Sequence, residues 1–300
     1  MTPLLALPPL TLATFGALTV ALLALWAPRI SASPQAPTWW VLPFAATLLL
    51  AQMAGLVESA GLVTLFGVVA ACRVTQQAPH GGLKGFAIAA LLTLSAGILL
   101  HALPGFVNPT VVDAVRTSAD AAPYTKYLNV DKGMLGLFLL GLVAPQRAIR
   151  PSRVPLSRAL PPFVAMAALA MGATVAAGYA HWDPKLPGWW PVWLWSMVTL
   201  TALPEEALFR HLIQGGLQVW LGASTRGYAL AAVVSGTLFG LAHVGGGWTY
   251  VLLATIAGIG YGWIYALTGS IAASILAHTS RIGGRSVVSR RSMCPNTFVM

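Results

Sequence analysis

Long apolar stretches separated by short polar loops are the feature that most restricts the fold of this chain. A bilayer span needs about 20 mostly apolar residues, and the sequence offers such stretches from Leu4–Trp26 to Trp248–Leu267. Only 8% of the residues are charged, whereas a soluble domain carries about 25%. We therefore predict an all-α, polytopic transmembrane bundle of about eight helices, in which lipid solvates most of the surface.

The other predicted helices follow from the remaining apolar stretches. The stretch 39–72 is too long for one straight span and contains Glu58, so it forms either one kinked helix or two shorter ones. Residues 107–132 are expected to form a polar loop with Asp113, Asp120 and Asp131. The further predicted helices cover residues 86–103, 133–143, 160–179, 189–220, 228–243 and 269–278.

The net charge of +10 does not indicate a nucleic-acid partner. The basic residues are scattered over short loops, so they build no basic face that could hold a phosphate backbone. Their sharpest cluster is a positive-inside signal that places one loop in the cytoplasm. We expect a multi-pass protein of the plasma (inner) membrane, with lipid as its partner. The cluster consists of Arg147, Arg150, Arg153 and Arg158.

Two of the three glutamates, Glu205 and Glu206, stand together in an apolar stretch. A charged side chain at bilayer depth costs roughly 2.5–3.5 kcal/mol on insertion scales, so a functional role is expected. Because successive helical residues point about 100° apart, the two carboxylates cannot face one spot. Arg210 lies four residues after Glu206 and can pair with it, which leaves Glu205 facing a cavity as the candidate base. The alternative is an ion pair that only locks helix packing.

Two histidines, His243 and His278, also lie in apolar surroundings. Each alone would more often be an interfacial or capping residue. Two carboxylates and two imidazoles inside one helix bundle, however, indicate hydrolytic chemistry. We expect Pro204 to kink the helix of the glutamates, since proline removes a backbone hydrogen bond. The other histidines are predicted to be unremarkable, at loops or helix ends: His80, His101, His181 and His211.

The motifs Glu205-Glu206-x-x-x-Arg210, Phe239-x-x-x-His243 and His278 resemble the CPBP family of intramembrane proteases, the CAAX-protease and bacteriocin-processing group also called Abi. The resemblance covers roughly residues 130–282. It divides the chain into N-terminal transmembrane helices with a polar loop (1–130), a protease-like core (131–282) and a basic, disordered tail (283–300).

This resemblance implies an endopeptidase that cleaves a membrane-associated peptide, either prenylated or of the leader type. Glu205 and His243 would activate water, Glu206 would orient Arg210, and His278 would ligate a metal or donate to the oxyanion. Glu205, His243 and His278 could hold a Zn²⁺ ion, since zinc accepts nitrogen and oxygen ligands. A metal-free mechanism with the same residues stays open.

One position departs from the family pattern. The fourth residue after His278 would be Asn or Asp, but Ile282 stands there, which puts oxyanion stabilisation and activity in question. A flexible tail would explain the change, and so would an altered reading frame or a truncation near residue 279. The alternative functions are a non-catalytic scaffold or immunity protein on the protease fold and, with less support, a transporter.

Overall fold

The computed structural model describes residues 7–26, 39–79, 81–118, 123–143, 154–178, 186–222 and 224–283. Of these described residues, 76% are helical, and they form ten helices with almost no strand. The prediction of an all-α bundle is therefore confirmed. Most of the predicted basic cluster, Asp120, the tail from residue 284 and the side chain of Ile282 lie outside the described residues.

The helices differ in length, and one of them is a composite of several helical types. In chain order they are α1 (Pro9–Ala24), α2 (Val41–Met53), α3 (Ser59–Gln77), α4 (Gly82–Leu99), α5 (Val130–Leu142), α6 (Leu156–Ala176), α7 (residues 190–221), α8 (Thr225–Leu241), α9 (Trp248–Thr268) and α10 (Ile271–Gly283).

Four of these helices, α3, α4, α6 and α9, are long and apolar enough to cross a membrane, and α1, α2 and α10 are shorter apolar helices. The chain is a membrane protein. The stretch 39–72 is two helices rather than one kinked helix. The break comes at Glu58, whose backbone N–H donates to Gly105 O at 2.9 Å, while Val107 N donates to Leu56 O at 2.9 Å.

The expected polar loop at 107–132 is partly wrong, because it contains an antiparallel hairpin of β1 (Thr110–Val115) and β2 (Tyr124–Tyr127). The strands were not predicted because their short apolar pattern stands among acidic and turn-forming residues. The Tyr124 ring stacks on Trp189 at 5.3 Å, so the hairpin covers the start of α7. Asp131 belongs to the first turn of α5, where the helix dipole favours a carboxylate.

Helix α7 contains the two glutamates, and its central part is buried. Two π-helical segments, Val198–Ala202 and Ala207–Gln214, flank the short α-helical segment Leu203–Glu206. Every residue from 201 to 211 is buried. The predicted disturbance at Pro204 therefore takes the form of π-helical turns on either side, and such turns occur frequently at functional sites.

Close helix contacts in the second half of the chain depend on small residues. A Cβ atom placed on Gly236 of α8 would lie 2.5 Å from the Ile259 nitrogen of α9. One placed on Gly240 would lie 2.8 Å from the Val251 carbonyl oxygen. Helices α8 and α9 can pack this closely only because both positions lack a side chain, and this packing brings His243 to the edge of the core beside α7.

Candidate active site

Glu206 is the centre of a buried polar network that joins α7 to α10. Its Oε2 accepts a hydrogen bond from Arg210 Nε at 3.0 Å and another from the Ser274 hydroxyl. Its Oε1 accepts from His278 Nδ1 at 2.9 Å. The carboxylate is fully buried, so these three donors replace the water that it loses. The spacing of Glu206 and Arg210 predicts their contact, whereas the contacts with α10 bridge 68 and 72 residues of sequence.

Arg210 extends the same network to α8. Its Nη1 donates to Ser235 Oγ at 3.1 Å, and that hydroxyl donates to the Phe209 carbonyl at 2.6 Å. The guanidinium carbon lies 5.6 Å from the centre of the Phe239 ring, within the range of a cation–π contact. Arg210 thus connects α7, α8 and, through Glu206, α10.

The environment of Glu205 differs from that of Glu206. Its side chain is buried, yet Oε2 has no hydrogen-bond partner among the described residues. The side chain of His278 lies near it, with Nε2 at 3.7 Å from Glu205 Oε2. His278 therefore stands between the two carboxylates, with Nδ1 toward Glu206 and Nε2 toward Glu205. The Tyr261 ring stacks on its imidazole at 4.8 Å and holds its orientation.

His243 lies just beyond the C-terminus of α8 with its tautomer fixed by the backbone. Its Nδ1 is 2.7 Å from the Phe239 carbonyl oxygen, and since a carbonyl only accepts, Nδ1 must donate. In the neutral imidazole, Nε2 is then the nitrogen that can take a proton. The Phe239 ring lies 4.6 Å from the His243 ring and 5.5 Å from the His278 ring, so one aromatic residue contacts both.

Glu205 and His243 share the wall of one apolar groove of about 310 Å³ between α4, α7 and α8. The other residues of its lining are apolar, so these two side chains are the polar groups on the wall of the groove. The apolar lining consists of Leu92, Ala96, Leu99, Leu100, Leu208, Phe209, Ile213, Leu238 and Ala242.

A Zn²⁺ ion at Glu205, His243 and His278, which the resemblance allows, stays a prediction. Among the described residues, no group of three or more His, Cys, Asp or Glu side chains is placed to hold a metal ion. His278 and His243 each use Nδ1 in a hydrogen bond, which leaves Nε2 as the nitrogen that could face another group. We therefore derive no catalytic step through a metal.

The sequence analysis missed two buried lysines beside Glu205. Lys126 of β2 and Lys132 of α5 are 6% and 0% exposed, and both interact electrostatically with Glu205. Burial, together with repulsion from Lys132, lowers the pKa of Lys126 to about 7, although Glu205 opposes the shift. The signal that could have revealed Lys132 is the same as for the glutamates, a charge within an apolar helix.

Two histidines predicted to be unremarkable are partly or fully buried and have specific contacts. His211 lies inside a π-helical segment of α7, not at a helix end, and its Nε2 contacts the Val143 carbonyl oxygen. His101 pairs through Nδ1 with Asp131 Oδ2 at 3.0 Å. Both fix neighbouring segments, since one ties α7 to the end of α5 and the other ties the loop after α4 to the start of α5.

Residues 187–280 match the protein-family model described as type II CAAX prenyl endopeptidase Rce1-like. The CPBP resemblance is confirmed for this segment. The Rce1-like segment begins just before α7 and ends in α10, so it contains Glu205, Glu206, Arg210, His243 and His278. At the level of the family, the match supports a CAAX-type intramembrane protease. Searches of curated proteins and of solved structures returned no significant match.

Proposed function

We propose that the chain is an intramembrane endopeptidase that cleaves a membrane-associated peptide, either prenylated or of the leader type. The observation that supports this most is the groove in which Glu205 and His243 face an otherwise apolar lining. A buried carboxylate oxygen without a hydrogen-bond partner is costly, and at this place it is suited to hold a water molecule. The match to the Rce1-like family supports the same reaction class.

In the proposed mechanism, Glu205 is the general base. Its carboxylate takes a proton from a water molecule in the groove while the water oxygen attacks the carbonyl carbon of the peptide. His243 lies on the same wall and orients the water or shares its proton through Nε2. The carbonyl electron pair moves to oxygen, and its return expels the amine, which takes the proton back from Glu205. His278 contacts both carboxylates, and in its doubly protonated form it would donate to the developing charge through Nε2.

Glu206 and Arg210 have a positioning role in this proposal. Their hydrogen bonds to α8 and α10 fix the π-helical turns of α7 and thereby the direction of Glu205. The groove would receive the apolar part of a substrate, such as a prenyl chain or the apolar side chains of a leader peptide, because burial of apolar surface is favourable. No nucleic acid takes part, and the location that we propose is the plasma (inner) membrane.

The experiment is cleavage of a prenylated peptide and of a leader-type peptide by the purified protein in lipid vesicles. Glu205→Gln keeps the shape of the side chain but removes proton acceptance, so kcat should fall by at least about 10². The matched control is Glu58→Gln, because Glu58 is the third glutamate and is exposed at the start of α3. Unchanged turnover of Glu205→Gln would refute the role of Glu205.

A non-catalytic scaffold on the same fold is the second candidate, and one sequence observation favours it. Ile282 occupies the position at which the resemblance implies Asn or Asp. Absence of cleavage by a folded wild-type protein on both peptide classes would favour the scaffold. A gain of cleavage in Ile282→Asn would instead identify the missing donor as the cause.

A further inference from the structure

Lys132 is a buried cation that no step of the proposed mechanism uses. Its side chain is fully buried in the first turn of α5, and its Nζ has no hydrogen-bond partner among the described residues. The neighbouring Lys126 differs, because its Nζ donates to Thr201 Oγ1 at 3.2 Å and contacts Met197 Sδ at 3.1 Å. Thr201 and Met197 lie four and eight residues before Glu205, on the same face of α7. The Lys126 side chain therefore packs on the face of α7 that carries Glu205.

Close packing of α5 against α7 brings Lys132 to this face. A Cβ atom on Gly133 would lie 2.8 Å from Leu200 Cδ2, and one on Gly136 would lie 3.1 Å from Pro204 Cα. Gly136 is one turn after Lys132 and therefore on the same side of α5. The close contact of Gly136 with α7 is therefore at Pro204, the residue directly before Glu205.

The backbone at Lys132 is held in place by its own neighbours. Asp131 Oδ1 accepts from the Lys132 N–H at 2.8 Å, and Asn108 Oδ1 accepts from the Val130 N–H at 2.9 Å. The other oxygen of Asp131 is bound to His101. The carboxylate of Asp131 is thus engaged elsewhere, and the Lys132 ammonium is left for another group.

That group is not Glu205 itself. Burial opposes a charge on Lys132, whereas Glu205 attracts it electrostatically, and Lys132 Nζ and Glu205 Oε2 both lack a hydrogen-bond partner among the described residues. Two opposite buried charges without hydrogen bonds are expensive unless a polar group binds between them. During peptide hydrolysis the scissile carbonyl must lie beside Glu205, because the water that Glu205 activates attacks its carbon.

We propose that Lys132 is a further catalytic residue, whose ammonium donates a hydrogen bond to the scissile carbonyl oxygen. This proposal rests on the proposed function. Glu205 takes a proton from water, the new C–O bond forms, and the carbonyl electron pair moves to the oxygen that Lys132 contacts. Lys132 donates this hydrogen bond and transfers no proton. When the C–N bond breaks, the electron pair returns to the carbonyl and the amine takes the proton from Glu205.

The charge of Lys132 compensates for a donor that the sequence lacks. The resemblance implies Asn or Asp one helical turn after His278, and Ile282 cannot donate from its side chain. A fixed donor aimed at the oxygen that becomes negative acts mainly on the transition state. Lys132 therefore offers an oxyanion contact from α5, which lies outside the Rce1-like segment at 187–280.

The test combines kinetics with an anionic transition-state analogue, a phosphonate analogue of the same prenylated or leader-type peptide. In Lys132→Met, kcat should fall about 10²–10³-fold with little change in KM, as for removal of an oxyanion donor. Lys132→Arg keeps the charge and should restore part of kcat. The matched control is Lys126→Met, which should keep kcat within several-fold. Wild-type kcat in Lys132→Met, or an equal fall in Lys126→Met, would overturn the assignment.

A second comparison replaces Glu205 in both proteins, so that removal of Lys132 does not leave the Glu205 carboxylate as an unpaired buried charge. Glu205→Gln should bind the phosphonate, and Lys132→Met/Glu205→Gln should bind it at least about 10²-fold more weakly, while both bind the parent amide peptide equally. Equal phosphonate affinity of the two variants would refute the role of Lys132. Because this readout needs no turnover, it tests Lys132 even if the wild type cleaves nothing, which would refute only the proposed function.

Discussion

Replacement of Arg210 is the sharpest test of the buried network. Arg210 is fully buried, binds Glu206 and Ser235, and lies over the Phe239 ring. Arg210→Met retains most of the apolar volume but removes the charge. The carboxylate of Glu206 then stays buried with only His278 and Ser274 as partners.

The expected cost follows from the loss of a partner for a buried charge. Breaking one side of a buried ion pair costs about 3–5 kcal/mol, and we expect the lower end because two donors to Glu206 remain. The lost donor to Ser235 adds to this cost, since an unsatisfied buried group costs about 1–3 kcal/mol. A free energy of unfolding lower by about 4–6 kcal/mol is therefore expected.

The assay is reversible unfolding in mixed detergent micelles for the wild type, Arg210→Met, Glu206→Gln and the double variant. The double variant should recover part of the loss, since no unpaired carboxylate remains, and the cycle should give a coupling energy of at least about 1 kcal/mol. Unchanged stability of Arg210→Met, or strictly additive effects, would show that the pair contributes nothing to the fold.

Three further predictions use matched positions. Burial lowers the pKa of Lys126 from 10.5 to about 7, so between pH 7 and 10.5 the unfolded chain holds a proton on Lys126 that the folded chain lacks. The free energy of unfolding should therefore rise with pH in this range by up to about 1.4 kcal/mol per pH unit. Lys126→Met should flatten that slope when unfolding is measured across pH. Gly236→Ala should destabilise the fold because the added Cβ meets Ile259. Gly172→Ala on α6, where open space surrounds the position, should instead stabilise the fold by about 0.5–1 kcal/mol. Equal Tm values of the two variants would contradict this prediction. Ser235→Ala should cost about 1–3 kcal/mol because it leaves Arg210 Nη1 without its acceptor.

Local properties of the sequence were sufficient for the fold class and for part of the site. Hydropathy depends on composition over about 20 residues, so the helical bundle was predictable. The contact of Glu206 with Arg210 was predictable because helical geometry alone brings residues i and i+4 together. The split at Glu58 was one of two open alternatives, since a polar residue in an apolar stretch indicates a break without fixing its form.

Only the tertiary structure decided which groups meet Glu205. His278 lies between both carboxylates because α10 packs against α7 across more than 70 residues of sequence, and no local pattern encodes that contact. Lys132 reaches the same face because Gly133 and Gly136 let α5 approach α7. Apolar periodicity marks buried positions but not their partners, since many helix pairings bury equal apolar area. Close contacts and unpaired buried charges distinguish these pairings, and both exist only in the folded chain.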